Sequence, residues 1–204
     1  GTTWRPTDNS GTTGRQLTVR DGLVYSKNTI TAQVVRDIGV APVVKLARDM
    51  GVRTSKLAQV PSIALGTSPV TLLEMVNAYS TIAAQGEYRK PVFVRRITDR
   101  DGQVIADFGQ QTPQRVLSLA SAVTLIDMMR GVINRGTGTG IRYRFGITAD
   151  VAGKTGTTQN NADAWFIMMH PNLVAGAWVG FNDNRVTMRS NYWGQGGQDR
   201  KSVV

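Results

Sequence analysis

Cysteine is absent from this 204-residue chain, which excludes disulfides, thiolate nucleophiles and cysteine metal sites. Histidine is nearly absent: His170 stands alone, so the usual His/Cys zinc ligand set cannot be assembled. No metal and no other cofactor is expected. Two glutamates, Glu74 and Glu87, leave few acid–base groups. No stretch approaches the ~20 consecutive apolar residues that span a bilayer; the longest apolar runs, around 165–169 and 174–181, are strand-sized. The chain opens Gly1-Thr2-Thr3-Trp4, without a basic and then apolar leader, so any anchor or export signal is expected outside this segment. Acidic residues are few, 14 against 24 basic ones, for a net charge of +10. Such a surplus favours polyanionic partners such as nucleic acid, anionic lipid or acidic cell-wall polymer. The basic residues are scattered, and neither an aromatic RNA-binding strand motif nor a helix-turn-helix is legible, so nucleic acid is not an expected partner.

What is present organises as helices followed by strands. Residues 1–17 are polar and turn-rich and read as a loop. Thr18 with Asp21 three positions on predicts a capped helix running to about Tyr25. Ser26-Lys27-Asn28 interrupts it. Ile30, Val34, Val35 and Ile38 then recur at helical spacing up to Gly39. Pro42 suits the first turn of another helix, ending before Gly51. Ser68-Pro69 predicts a cap and first turn for a helix whose apolar face is Leu72, Leu73, Val76, Tyr79, Ile82 and Ala83. Stretches 92–98 and 103–108 read as strands around Asp101-Gly102. Ser118 opens a helix that buries Val123, Ile126, Met129, Val132 and Ile133 and stops at Gly136. Segments 151–157, 164–169 and 173–181 read as an antiparallel meander, with His170-Pro171-Asn172 as a turn. This order predicts an α+β domain, a sheet covered by helices.

Two glycine-containing motifs can be set aside. Gly153-Lys154-Thr155 is not a phosphate loop, because that motif needs a glycine where Thr148 stands. Gly136-Thr137-Gly138-Thr139-Gly140 follows a helix and not a strand, so it is not a dinucleotide fingerprint. Lys154-Thr155-Gly156-Thr157 offers something else: a lysine charge, two hydroxyls, strand backbone groups, and a glycine that allows close approach. Together they suit an extended peptide ending in a carboxylate and bound as an added strand; an ordinary glycine-containing strand is the alternative. In Ser26-Lys27-Asn28 a hydroxyl and an amide sit in a turn between helices, where they can relay a proton and bond a substrate amide. The alternative there is helix capping.

Ser-x-Asn followed by Lys-Thr-Gly across a helical segment is the order found in penicillin-recognising serine enzymes. Further blocks resemble class A penicillin-binding proteins: Tyr25-Ser26-Lys27-Asn28-Thr29, Ala64-Leu65-Gly66-Thr67-Ser68, Glu74-Met75-Val76-Asn77-Ala78-Tyr79-Ser80, Gly136-Thr137-Gly138, Ala152 to Thr158, Asp163-Ala164-Trp165-Phe166 and Trp178-Val179-Gly180-Phe181. The resemblance implies a penicillin-binding protein/serine β-lactamase-like fold with a central antiparallel five-stranded sheet between helices. It implies acyl transfer from D-Ala-D-Ala stem peptides of peptidoglycan, a nucleophilic serine that β-lactams acylate, and an extracytoplasmic bacterial location. By motif it makes Ser26, Asn28 and Lys154 catalytic, and Lys27, Thr155, Gly156, Thr157 and Thr158 substrate-binding. The Thr157 N–H would be half of the oxyanion hole.

The resemblance also has a gap. Its nucleophile lies in Ser-x-x-Lys, yet the residues three before the six lysines are Val24, Pro42, Arg53, Glu87, Val151 and Gln198. The expectation is therefore the C-terminal part of a transpeptidase domain over 1–197, with a divergent or truncated tail over 198–204. The nucleophile is expected from a companion polypeptide, and a glycosyltransferase domain and membrane anchor from the parent protein. A non-catalytic peptidoglycan-binding module is the competing expectation.

Overall fold

The computed structural model describes residues 4–8, 11, 14–158, 161–183, 185–188 and 196. The tail expected over 198–204 lies outside the described residues. Three helices open the fold: α1 (Val19–Val24), α2 (Asn28–Ile38) and α3 (Val40–Met50). Thr18 caps α1, accepting the Asp21 N–H, and Gly39 and Gly51 end α2 and α3 at positive φ. After a 3-10 turn at Pro61–Leu65 comes α4 (Leu72–Ala83). Two small ribbons follow, pairing β1 (Glu87–Tyr88) with β4 (Gln114–Arg115), and β2 (Arg96–Thr98) with β3 (Val104–Asp107). Then come α5 (Leu119–Arg135), α6 (Gly140–Tyr143) and the meander β5 (Ala152–Thr157), β6 (Asp163–His170) and β7 (Leu173–Gly180).

The meander forms a three-stranded antiparallel sheet in the order β5-β6-β7. Five strands were expected; among the described residues the two ribbons pair within themselves and add none to this sheet. α5 lies along β5, and α4 covers β6 and β7. Between them sits the core of Ile82, Met129, Ala152 and Met169, with Ile133, Ile141 and Val151 forming a second cluster beside it. Each large apolar side chain so buried contributes roughly 1.5–3 kcal/mol.

The start of α4 corrects the expectation. Thr71, not Ser68, is its cap. Thr71 and Glu74 bond each other's backbone reciprocally in a capping box, which pins the first turn two residues past Pro69. The Ser68 hydroxyl instead accepts the Ala58 N–H at 3.0 Å. The expected apolar face is also uneven, for Leu72 and Leu73 are exposed while Ile82 is buried. On α5, Val123 is exposed and Ala122 takes the buried place. The β2–β3 ribbon is shorter than 92–98 and 103–108. Its turn is organised by the Asp99 carboxylate, which accepts the N–H groups of Asp101 and Gln103 at 2.9 and 2.8 Å. No helix among the described residues is long and apolar enough to cross a membrane.

Candidate active site

The C-terminal end of α1 has an unusual residue in a common motif. Ser26 N–H donates to the Leu23 carbonyl at 3.2 Å and Lys27 N–H to the Gly22 carbonyl at 2.8 Å, which is the Schellman pattern that glycine usually completes. Here the left-handed position holds Ser26, at φ 52°. A side chain costs roughly 1–2 kcal/mol in that conformation. The geometry sends its hydroxyl across to the sheet, where Lys154 Nζ donates to Ser26 Oγ at 2.9 Å. The same ammonium donates to the Thr155 carbonyl at 2.8 Å. Lys154 is half-buried, and burial lowers its pKa to about 8, because desolvation disfavours the charged form.

The corner carrying Ser26 is braced against α5. Val24 is fully buried. A β-carbon at Gly131 would lie 2.7 Å from Val24 Cγ2, and one at Gly136 would lie 2.8 Å from Val24 Cγ1. Those two glycines let α1 settle on α5. Arg135 then donates to Asp21 at 2.8 Å and to the Tyr25 hydroxyl at 3.1 Å, with its guanidinium 5.6 Å from the Tyr25 ring centre. Its hydrogen bond, with that from Thr18, holds the Asp21 carboxyl below the usual range.

Lys154, Thr155, Gly156 and Thr157 lie on β5, which has β6 on one side and, among the described residues, no strand on the other. Thr158 N–H donates to the Asp163 carbonyl on β6 at 3.1 Å. Backbone groups alternate sides along an antiparallel strand, so the N–H and C=O of Thr157 and Thr155 turn toward the open edge. Thr155 Oγ1 lies 2.6 Å from Thr137 Oγ1. A β-carbon on Gly156 would come 3.2 Å from the Trp165 side chain. Thr157 is exposed, and its hydroxyl accepts the Gly196 N–H at 3.2 Å.

The other expected residues are placed differently. Lys27 occupies the N-cap position of α2 without a side-chain cap bond. Asn28 is the first residue of α2, and its amide donates to the Thr7 carbonyl at 2.9 Å. Asp8 accepts the Thr29 N–H and hydroxyl at 3.1 and 3.0 Å. The Thr158 hydroxyl belongs to the β5–β6 connection, accepting the Asp163 N–H at 2.8 Å and donating to the Asp163 carboxylate at 3.2 Å. Ser26 and Lys154 are thus joined directly, Thr155 and Thr157 lie beside them on β5, and the Asn28 amide is held by the N-terminal segment. Sequence reading missed Thr137, Asp8 and Arg135. Only Thr137 carried a signal, as the centre of Gly136-Thr137-Gly138.

The site thus joins a half-buried lysine to a serine in the left-handed conformation, beside a strand whose Thr155 and Thr157 N–H groups face away from β6. The Penicillin binding protein transpeptidase domain family matches residues 1–181. Penicillin-binding protein 1A of Neisseria gonorrhoeae is 34% identical over 199 residues, covering 95% of this chain and 25% of that protein. Penicillin-binding protein 2D of Bacillus subtilis is 36% identical over 192 residues, covering 90% of this chain and 27% of that protein. The crystal structure of penicillin-binding protein 1A from Haemophilus influenzae has the same fold, with TM-score 0.80 and 24% identity over 90% of this chain and 33% of that one. The chain belongs to the transpeptidase domain family of class A penicillin-binding proteins. It spans about a quarter of the length of these curated relatives.

Proposed function

We propose that this chain supplies the Ser-x-Asn and Lys-Thr-Gly half of a D,D-transpeptidase site that cross-links peptidoglycan outside the cytoplasmic membrane. The carrying observation is the 2.9 Å bond from Lys154 Nζ to Ser26 Oγ, which joins the two motifs across the fold. The donor stem peptide lies along the open edge of β5, with its terminal carboxylate toward Lys154 and the hydroxyls of Thr155 and Thr157. Two N–H groups of the ammonium serve Ser26 and Thr155, and the third meets that carboxylate. A serine from a companion segment bearing Ser-x-x-Lys attacks the penultimate D-Ala carbonyl. The lysine of that segment takes the serine's proton, and Ser26 relays it to the amine of the terminal D-Ala as that C–N bond breaks. The Thr157 N–H stabilises the oxyanion. An amine from a neighbouring stem then takes the acyl group, and β-lactams acylate the same serine. The exposed Leu72 and Leu73 on α4 support the reading that a further segment covers this domain.

The test is labelling with a fluorescent penicillin, mapped by mass spectrometry. The chain alone is expected to stay unlabelled, and a preparation containing the Ser-x-x-Lys segment is expected to label there. Stoichiometric labelling of a serine within these 204 residues overturns the fragment reading. Failure to label in the complemented preparation favours the peptidoglycan-binding module.

A further inference from the structure

At the end of β5 away from Lys154 a cleft of about 450 Å³ opens between the C-terminus of α4, the flank of α5, the start of β5 and the β6–β7 turn. Its size falls in the range of small-molecule sites. Ala83, Val123, Ile126, Met169 and Pro171 make apolar walls. Arg89, Arg130, His170 and Asp150 also line it. Arg130 Nε donates to Asp150 at 2.8 Å, and Arg89 pairs with Glu87 at 3.1 Å. Each ion pair occupies only part of a five-donor guanidinium. His170 Nδ1 accepts the Asn172 N–H at 3.3 Å, which leaves Nε2 as the N–H donor. Arg130 also lies 3.8 Å from Asp127, so the lining offers the spare N–H groups of two ion-paired guanidiniums and an imidazole donor above an apolar floor.

We propose that this cleft is a second binding site, for a small amphipathic anion with an aromatic or branched apolar body and a single carboxylate- or sulfonate-type head. The apolar body lies over Val123, Ile126 and Pro171 at the cleft wall, and the head meets Arg89 and Arg130. The site is independent of the acyl-transfer reading, but it is mechanically connected to it. Ala152 in the wall is two residues before Lys154 on β5, and Ile126 and Arg130 share α5 with Gly131, which helps seat the Ser26 corner.

The test uses two probes of nearly the same apolar body, anionic 8-anilinonaphthalene-1-sulfonate and neutral N-phenyl-1-naphthylamine. Each is titrated by fluorescence into the purified full chain. One saturable site is expected, tighter for the anion. Losing a charge-assisted contact in the Arg89→Ala, Arg130→Ala double variant should weaken the anion about ten-fold and leave the neutral probe nearly unchanged. Val123→Trp, which fills the mouth from an exposed position, should abolish both. All three side chains are exposed, and a melting curve on each variant checks the fold. Anion binding that survives Val123→Trp, occurs at several equivalent sites, or ignores the two arginines overturns the proposal.

Discussion

Gly136 lies beneath Val24 so closely that a β-carbon would sit 2.8 Å from Val24 Cγ1, with the Val24 carbonyl oxygen nearer still. Thr137 N–H donates to that same carbonyl at 3.3 Å. The end of α5 is therefore both the seat of the Ser26 corner and the source of the Thr137 hydroxyl beside Thr155. Gly136→Ala is expected to destabilise the fold by roughly 1–3 kcal/mol, because the neighbouring atoms include backbone that cannot rotate away. It should also lower the β-lactam acylation rate of the complemented site more than Gly140→Ala does. Thermal melts and acylation kinetics of both variants check this.

Ser26→Gly separates backbone strain from chemistry. Glycine adopts φ 52° without steric penalty. The variant is expected to hold or raise stability, by up to about 1 kcal/mol, while acyl transfer falls by about 10²-fold or more as the relay hydroxyl is lost. A variant that loses stability instead would place the value of Ser26 in its bond to Lys154. Ser26→Ala serves as the control, keeping the strain and losing the hydroxyl.

The Lys154 ammonium has a lowered pKa, about 8 in the folded state against about 10.4 in an unfolded chain. Between those values the unfolded state binds more protons, so this group makes stability rise with pH across about 8 to 10.4. Lys154→Met should remove that rise, which denaturant titrations of both proteins at stepped pH will read. Binding of a carboxylate-terminated stem peptide should weaken as pH climbs through about 8, since the cation that receives it is lost. An unchanged affinity up to pH 10 would sink the carboxylate role.

Glu74 is buried and accepts from the backbone and hydroxyl of Thr54, Ser55 and Thr71. Burial alone would raise its pKa, but the bonds from Ser55 and Thr54 outweigh it and hold the carboxyl well below its ordinary range. The stability this contributes is present above the unfolded pKa, about 4.3, and is lost as pH falls toward the depressed folded value. Glu74→Gln points an N–H₂ group at donors and should cost about 2–4 kcal/mol. The variant's stability should also depend less on pH below 4.5 than the parent's. Chemical unfolding at pH 3 and 7 measures both.

Much of this was legible from local chemistry. Capping pairs such as Thr18 with Asp21 and stops such as Gly39, Gly51 and Gly136 act within a few residues, so they mark α1, α2, α3 and α5 directly. The strand-sized apolar runs around 165–169 and 174–181 and the His170-Pro171-Asn172 turn marked the meander for the same reason. Where two local signals competed, at Ser68-Pro69 and Thr71, the reciprocal bond with Glu74 prevailed. The ordered motifs identified the family, and named Ser26, Lys154 and Thr157. What the sequence could not determine is where each hydroxyl and charge goes once the chain closes. Ser26 and Lys154 meet only because Val24 fits over Gly131 and Gly136, a contact between segments more than a hundred residues apart. Asn28 joins the Thr7 carbonyl and Thr158 joins Asp163 because those partners lie nearest after folding. Hydrogen bonds reach about 3 Å, so which motif residues face the open edge of β5 is decided by packing, and packing is a property of the folded chain.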